Sequence, residues 1–193
     1  LDIERVVDTP YSISAIMSSY GVDHGERIKR VISEVIGACG FAASTTFATF
    51  HKLTKKDLRI CATNLSRMRL DVFSARDTPD VQIAAAMFWS MTIPFVIAPE
   101  TYRGDLMIDG CALSFVPTHV WPVEETFVVY ATGVGGSGGG GIGGSRPYGG
   151  GEAPRREFAD MKAYAFGVLS CCATTMLREV EALRASHPET VVR

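Results

Sequence analysis

Leu106-Met107-Ile108-Asp109-Gly110 is the stretch of sequence that decides the fold. Its three apolar residues predict a short strand that presents an aspartate and a glycine at its end. α/β folds place functional side chains at such strand ends. Because an Asp-Gly pair alone most often marks a simple turn, its meaning depends on the residues that come before it.

The residues upstream alternate between helical and strand patterns. Apolar residues recur at three- and four-residue steps between Gly25 and Ile36, which predicts a helix with one apolar face. A short helical turn is expected within 41–53, behind the hydroxyl residues 44–46. The stretches 58–62 and 70–73 are rich in apolar and β-branched residues and predict two short strands.

A second helix is expected to begin at Thr78-Pro79-Asp80. A hydroxyl there can cap free backbone amides, and proline is tolerated in the first turn of a helix. Pro94 disfavours helical geometry at the residue before it, so this helix should end near Met91. The apolar stretch 95–97 and a turn at 102–105 then lead into the strand that carries Asp109.

Seven segments in this order resemble the patatin-like phospholipase family. They are Tyr20-Gly21, Thr46-Phe47, 57–65, 72–74, 78–80, 90–95 and 106–110, and the resemblance extends to about Pro117. The family implies an α/β fold, a three-layer α/β/α domain with a serine–aspartate dyad. The chain is then expected to lack the N-terminal nucleophile segment of that domain.

The chain is expected to have three parts. Residues 1–132 would be the C-terminal part of the patatin-like domain, 133–153 a glycine-rich flexible loop, and 154–186 an amphipathic helix that packs on the core. The loop is expected to be flexible because 12 of the 19 residues from 133 to 151 are glycine. Residues 126–131 also have the composition of a strand.

Asp109 matches the catalytic aspartate of the family, and Gly110 supports it. A carboxylate is needed because a serine hydroxyl is a poor nucleophile until a base accepts its proton. Gly110 would let the backbone turn tightly. Cys111 stands where the family usually has a second glycine or an alanine. The alternative is therefore that Asp109 is a turn residue in a degenerate family member.

The serine nucleophile has no good candidate. Residues 135–139 fit G-x-S-x-G literally through Ser137, but no helix is predicted directly after them, as a nucleophile elbow requires. The tract 133–138 also fits G-x-G-x-x-G, yet a dinucleotide site needs a helix at its third glycine. We expect the chain to be inactive alone.

The apolar residues Trp89, Met91, Pro94 and Phe95 are candidates for an acyl-chain pocket. Their interpretation as plain core residues is equally compatible with the sequence. The expected partners are a lipid or acyl-ester substrate and, transiently, a membrane surface.

Composition narrows the remaining classes. The formal net charge of −2, without a basic run, gives no field that would attract nucleic acid. The five cysteines have no C-x-x-C spacing and the four histidines are scattered, so no metal or other cofactor is expected. Neither a signal peptide nor a transmembrane helix is predicted, which favours an intracellular, cytoplasmic setting.

The sequence thus predicts a lipid acyl hydrolase that uses a serine–aspartate dyad, with this chain supplying the aspartate. The alternative is a truncated or pseudoenzyme patatin-like scaffold without catalytic activity.

Overall fold

The computed structural model of the protein describes residues 18–114 and 156–172. Its elements are β1 (Gly21–Asp23), α1 (Glu26–Ala38), α2 (Phe47–Thr54), β2 (Arg59–Asn64), β3 (Arg69–Ser74), α3 (Ile83–Ser90), β4 (Phe95–Ile97), β5 (Glu100–Tyr102), β6 (Asp105–Asp109) and a 3-10 turn (Gly110–Ala112). Residues 161–172 are helical. The mixture of helices and strands agrees with the α/β class expected from the sequence.

The strands of the described residues form two sheets. β1 and β4 pair in parallel, whereas the other four form an antiparallel sheet with the order β3-β2-β6-β5. β6 therefore lies inside the larger sheet, where Ala62 of β2 is the register partner of Asp109. The strand that carries the candidate catalytic residue is held on both sides by neighbouring strands.

Both faces of β6 are buried. Successive side chains of a strand point to opposite faces, so Met107 and Ile108 pack on different sides of the sheet. Met107 belongs to an apolar cluster that includes Ile32 of α1 and Phe88 of α3. Ile108 belongs to a second cluster, together with Tyr164 of the helical segment 161–172. Packing against helical residues on both sides fixes the height and direction of β6 in the fold.

The predicted helix start at Thr78 is wrong. α3 begins at Ile83, with Gln82 as its N-cap residue. The Thr78 hydroxyl instead accepts a hydrogen bond from the Ser74 amide at 3.0 Å, and the Thr78 amide donates to the Ser74 carbonyl at 2.9 Å. Threonine hydroxyls can close turns as well as cap helices, and the Thr78 hydroxyl closes the turn after β3.

The first predicted helix is confirmed, although its apolar face is narrower than expected. α1 buries Ile32 and Ile36, whereas Val31 and Val35 stay 51% and 49% exposed. The helix also continues through Gly37 before it ends. The neighbouring elements therefore cover only part of the stripe that the sequence pattern defines.

α2 is confirmed and begins as its hydroxyl residues predict. Thr46 is the N-cap residue, and its side chain accepts a hydrogen bond from the Thr49 amide at 3.2 Å. The strands predicted at 58–62 and 70–73 correspond to β2 and β3, and α3 ends at Ser90.

Several predictions fall on residues that the structure leaves undescribed. These are the strand at 126–131, the glycine-rich loop at 133–153 with Ser137, and much of the helix expected over 154–186. The described helical residues 161–172 bury Tyr164, Val168 and Cys171. In the described ranges, no helix combines the length and the apolar character that crossing a membrane requires.

Candidate active site

Asp109 ends β6 and begins the 3-10 turn that follows it. Its backbone amide donates a hydrogen bond to the Thr92 carbonyl at 2.9 Å, across from the segment after α3. Its side-chain Oδ1 accepts a hydrogen bond from the Cys111 amide at 2.8 Å. The carboxylate is half-buried, so solvent or a substrate can still reach it. These contacts fix the side chain and leave it accessible.

Gly110 is required by close packing against β2. A Cβ atom at this position would lie 2.9 Å from the Cys61 carbonyl oxygen, closer than such atoms approach in folded proteins. The Gly110 carbonyl in turn accepts a hydrogen bond from the Thr63 hydroxyl at 3.3 Å and from the Ser114 amide at 3.0 Å. The Asp-Gly turn is therefore anchored to its neighbouring strand at the residue after the aspartate.

Cys111 is the closest thiol to the carboxylate along the chain. Burial raises the pKa of this thiol to about 11, and the negative charge of Asp109 adds to the effect. Burial also raises the pKa of Cys61 to about 11. Since the thiolate is the nucleophilic form of cysteine, neither thiol is activated at neutral pH.

Trp89, a candidate for the acyl-chain pocket, lies in the first apolar cluster. Its ring packs against Phe73 and Tyr102, with ring centroids 5.1 Å away in both cases. The indole Nε1 donates a hydrogen bond to Glu100 Oε2 at 3.0 Å. These contacts are those of a core residue with a satisfied polar end.

Met91 and Pro94 lie on the loop that follows α3, and Phe95 is the first residue of β4 at the end of this loop. Met91 is 46% exposed and Phe95 is 37% exposed, whereas Pro94 is half-buried. The loop also exposes Ile93, a residue that the sequence analysis did not single out. Met91, Pro94 and Phe95 thus belong to one short segment of the chain, whereas Trp89 lies in the core.

Thr92 and Thr63 are the site residues that sequence reasoning missed. Both are completely buried, and each hydrogen-bonds with a backbone group of the Asp-Gly turn: Thr92 through its carbonyl oxygen, Thr63 through its hydroxyl. The sequence signal for them is weak, because the contacts join residues that are far apart in the chain. A buried threonine in an otherwise apolar stretch is the feature that could have drawn attention to Thr92.

Three aromatic rings connect this loop with the helical segment 161–172. Tyr164 stacks on Tyr20 at 4.7 Å and meets Phe95 edge-on at 5.5 Å, between ring centroids. Tyr20 and Phe95 both have positive φ, at 64° and 68°, which is uncommon for bulky residues. Burial raises the pKa of the Tyr164 phenol, so this ring is neutral at physiological pH.

No metal site accompanies these residues. Across 18–114 and 156–172, no three histidine, cysteine, aspartate or glutamate residues come together in a way that could hold an ion.

Comparison with known proteins gives one family and two viral relatives. The family model described as patatin-like phospholipase matches residues 4–121. An uncharacterized protein of Acanthamoeba polyphaga mimivirus is 27% identical over 111 residues, which cover 57% of this chain and 36% of the viral protein. A "probable lipid hydrolase" of Invertebrate iridescent virus 6 is 33% identical over 67 residues, or 35% of this chain and 23% of that protein.

These matches span about a third and a quarter of the two viral proteins. No solved structure matches the chain significantly. The family match includes the Asp-Gly turn and the loop after α3, but it does not include the helical segment 161–172.

Proposed function

The chain belongs to the patatin-like phospholipase family, and from that premise we propose that it is a lipid acyl hydrolase whose dyad uses Asp109. The observation that carries the proposal is the Asp109 carboxylate, half-buried at the end of an interior strand with one oxygen bound to a backbone amide. The name of the iridescent virus relative, a probable lipid hydrolase, points to the same chemistry.

The proposed reaction uses Asp109 as the base. Because Oδ1 accepts the Cys111 amide, Oδ2 is the oxygen that takes the proton of the serine hydroxyl. The serine oxygen attacks the ester carbonyl, and the proton passes to the leaving alcohol as its bond to the acyl carbon breaks. Water then attacks the acyl-enzyme and loses a proton to Asp109. The serine oxygen takes this proton from Asp109 as its bond to the acyl carbon breaks, which releases the fatty acid and restores the free serine.

The acyl chain would enter beside the loop after α3. Met91, Pro94 and Phe95 lie on this loop, and Thr92 in its middle holds the Asp109 amide. Trp89 would contribute from the core side, since it lies in α3, the helix that leads into the loop, and its ring packs against Phe73. An apolar path next to the carboxylate suits the hydrocarbon part of a lipid ester.

The layered architecture is also part of the proposal. α1 and α3 contribute to the apolar cluster on one face of β6, and the segment 161–172 contributes to the cluster on the other face. This arrangement supports a three-layer α/β/α domain, with residues 154–186 as its closing helix. The serine elbow would come from a strand, turn and helix outside the described residues, which contain no G-x-S-x-G.

A non-catalytic scaffold is the second candidate. Cys111 occupies a position where the family usually has glycine or alanine, and Ser137 is the serine that fits the elbow pattern within this chain. If no elbow serine accompanies Asp109, the fold could act only through binding.

Ester hydrolysis by the intact gene product separates the two candidates. A short-chain chromogenic acyl ester would be assayed with the parent protein, with Asp109→Asn and with the matched control Asp80→Asn, whose carboxylate is exposed. We expect the Asp109 variant to be inactive while folded, and the control to keep the parent rate. The 193-residue chain is expected to be inactive alone.

Equal rates for the parent and the Asp109→Asn variant would refute the dyad role of Asp109. A parent protein with no hydrolysis of any acyl ester would favour the scaffold. Loss of activity in both aspartate variants would point to a general loss of folding, and circular dichroism on the same samples would detect it.

A further inference from the structure

The loop after α3 exposes apolar side chains in a regular pattern. Met91, Ile93 and Phe95 are 46%, 40% and 37% exposed, whereas Thr92 between them is completely buried. Exposure therefore alternates along the segment, with the large apolar side chains turned outward. Single exposed apolar residues are common on protein surfaces, but three at alternate positions of one short loop are a patch.

The loop is held in place by backbone hydrogen bonds. The Thr92 amide donates to the Trp89 carbonyl at 3.2 Å, and the Val96 and Ile97 amides donate to the Ile93 carbonyl at 3.2 Å and 3.0 Å. The apolar side chains are therefore presented by an ordered backbone, not by a loop tip without internal contacts.

Phe95 keeps an unfavourable backbone conformation in this loop. Its φ of 68° lies in the left-handed region, which residues with large side chains rarely adopt. The edge-on contact of its ring with Tyr164 holds it there. Strain of this kind persists where the surrounding packing fixes it, and it is typical of functional surfaces.

The exposed patch is continuous with the candidate active site. Thr92, which separates Met91 from Ile93, accepts the Asp109 amide hydrogen bond at 2.9 Å. The segment that carries the patch is therefore joined by one backbone hydrogen bond to the strand end that carries Asp109.

The charge pattern defines the kind of surface that fits. Residues 81–99 contain no charged side chain, and no lysine or arginine occurs from Asp77 to Tyr102. Attraction to anionic headgroups requires a cluster of basic residues, which the segment 77–102 does not contain. Burial of apolar side chains is the interaction that remains, and it does not depend on headgroup charge.

We propose that the loop 91–95 is the surface through which this protein meets a neutral, zwitterionic lipid layer, with Met91, Ile93 and Phe95 inserted at the acyl-chain boundary. The inference rests on the proposed function in that the layer would supply the lipid ester to Asp109. Three side chains make the contact, and the burial of their apolar surface drives it without electrostatic attraction.

Vesicle sedimentation tests this assignment on the intact gene product in an Asp109→Asn background, so that no lipid is consumed. The probe is a vesicle of pure phosphatidylcholine. The test variant is Met91→Ser with Ile93→Ser, and the matched control is Val31→Ser with Val35→Ser, which removes two equally exposed apolar side chains from α1.

We expect the loop variant to bind these vesicles roughly tenfold to fiftyfold more weakly, given the apolar surface that two half-exposed side chains can bury. The control should bind as the background protein does, and raising the salt concentration should change neither result. Because Phe95 is unchanged in the test variant, its contact with Tyr164 is kept. The single variant Met91→Ser should show a smaller loss in the same direction.

Equal binding of the test variant and the control would overturn the proposal. So would binding that requires anionic lipid and disappears in salt, or a change in self-association, measured by sedimentation velocity, without a change in vesicle binding. The outcome is separate from that of the dyad: hydrolysis retained in Asp109→Asn would reject the proposed reaction, and the same vesicle comparison would then be made with ether-linked phosphatidylcholine, which has no acyl ester to hydrolyse.

Discussion

The two ends of β6 each carry an aspartate, and the two carboxylates have different surroundings. Asp105 at the start is buried and accepts hydrogen bonds from Arg67 Nε at 2.5 Å and Asn64 Nδ2 at 3.1 Å. Asp109 at the end is half-buried, and its carboxylate accepts a backbone amide. The first charge is neutralised by a cation, whereas no cation among residues 18–114 and 156–172 pairs with the second.

This difference separates a structural carboxylate from one suited to proton transfer. A carboxylate paired with arginine holds its charge strongly and is a weak base. A carboxylate oriented by an amide keeps an oxygen available for a hydroxyl proton. One strand therefore provides both a buried ion pair that stabilises the sheet and a candidate base at its opposite end.

Asp105→Ala should have the largest effect on stability. It removes the carboxylate from Arg67 and from Asn64 in a buried setting, which should lower the free energy of unfolding by about 2–4 kcal/mol. Chemical denaturation monitored by circular dichroism measures this. The control is Asp57→Ala, which removes the exposed partner of Arg59 and should cost about 0–1 kcal/mol. Equal losses would show that burial of Asp105 contributes nothing.

Gly110→Ala should have an intermediate effect, concentrated at the other end of the strand. The added Cβ would lie 2.9 Å from the Cys61 carbonyl oxygen, so β2 and the turn must separate, at a cost of about 1–3 kcal/mol. The rate of ester hydrolysis should fall by more than the loss of folded protein explains, because the Asp109 carboxylate moves with the turn. Gly37→Ala is the control, since a Cβ there meets no atom within 4 Å.

A Gly110→Ala protein with normal stability and activity would contradict the close packing of the turn. It would also remove the physical reason for glycine at this position. If stability fell and hydrolysis did not, the geometry of the turn would be irrelevant to the reaction, and the contrast between the two ends of β6 would lose its functional meaning.

The sequence predicted the strand end at Asp109 because the pattern is local. Three apolar residues followed by Asp-Gly specify a strand and its end without help from distant residues. The start of α3 was misplaced because Thr78 can cap a helix or close a turn, and only the position of Ser74 decides between them. The half-exposed Val31 and Val35 depend in the same way on which elements pack against α1.

The residues that hold the Asp-Gly turn in place could not be predicted from the sequence, for the same reason. Thr63 and Gly110 are 47 residues apart in the chain, so no short spacing or periodicity connects them. Trp89 and Phe95 looked alike in sequence, as large apolar residues near Pro94. Their separation into core and exposed loop follows from the hydrogen bonds and ring contacts that each one makes.

The smallest expected effect concerns Cys111, which reports the charge of Asp109. The pKa of this thiol is raised to about 11 by burial and by the neighbouring carboxylate. Asp109→Asn removes the charge and so lowers the pKa, which increases the thiolate fraction near pH 9. Alkylation of Cys111, followed by peptide mass spectrometry, should accelerate a few-fold, since reactivity follows the thiolate.

Cys61 is the internal control for this measurement, because burial raises the pKa of its thiol and the charge of Asp109 is not among the causes. Its alkylation rate should stay constant in Asp109→Asn. An unchanged rate at Cys111 would mean that the charge of Asp109 does not act on this thiol. The hydrogen bond from the Cys111 amide would then not hold the Asp109 carboxylate beside the thiol, and the same result would argue against the orientation on which the role of Asp109 as the base depends.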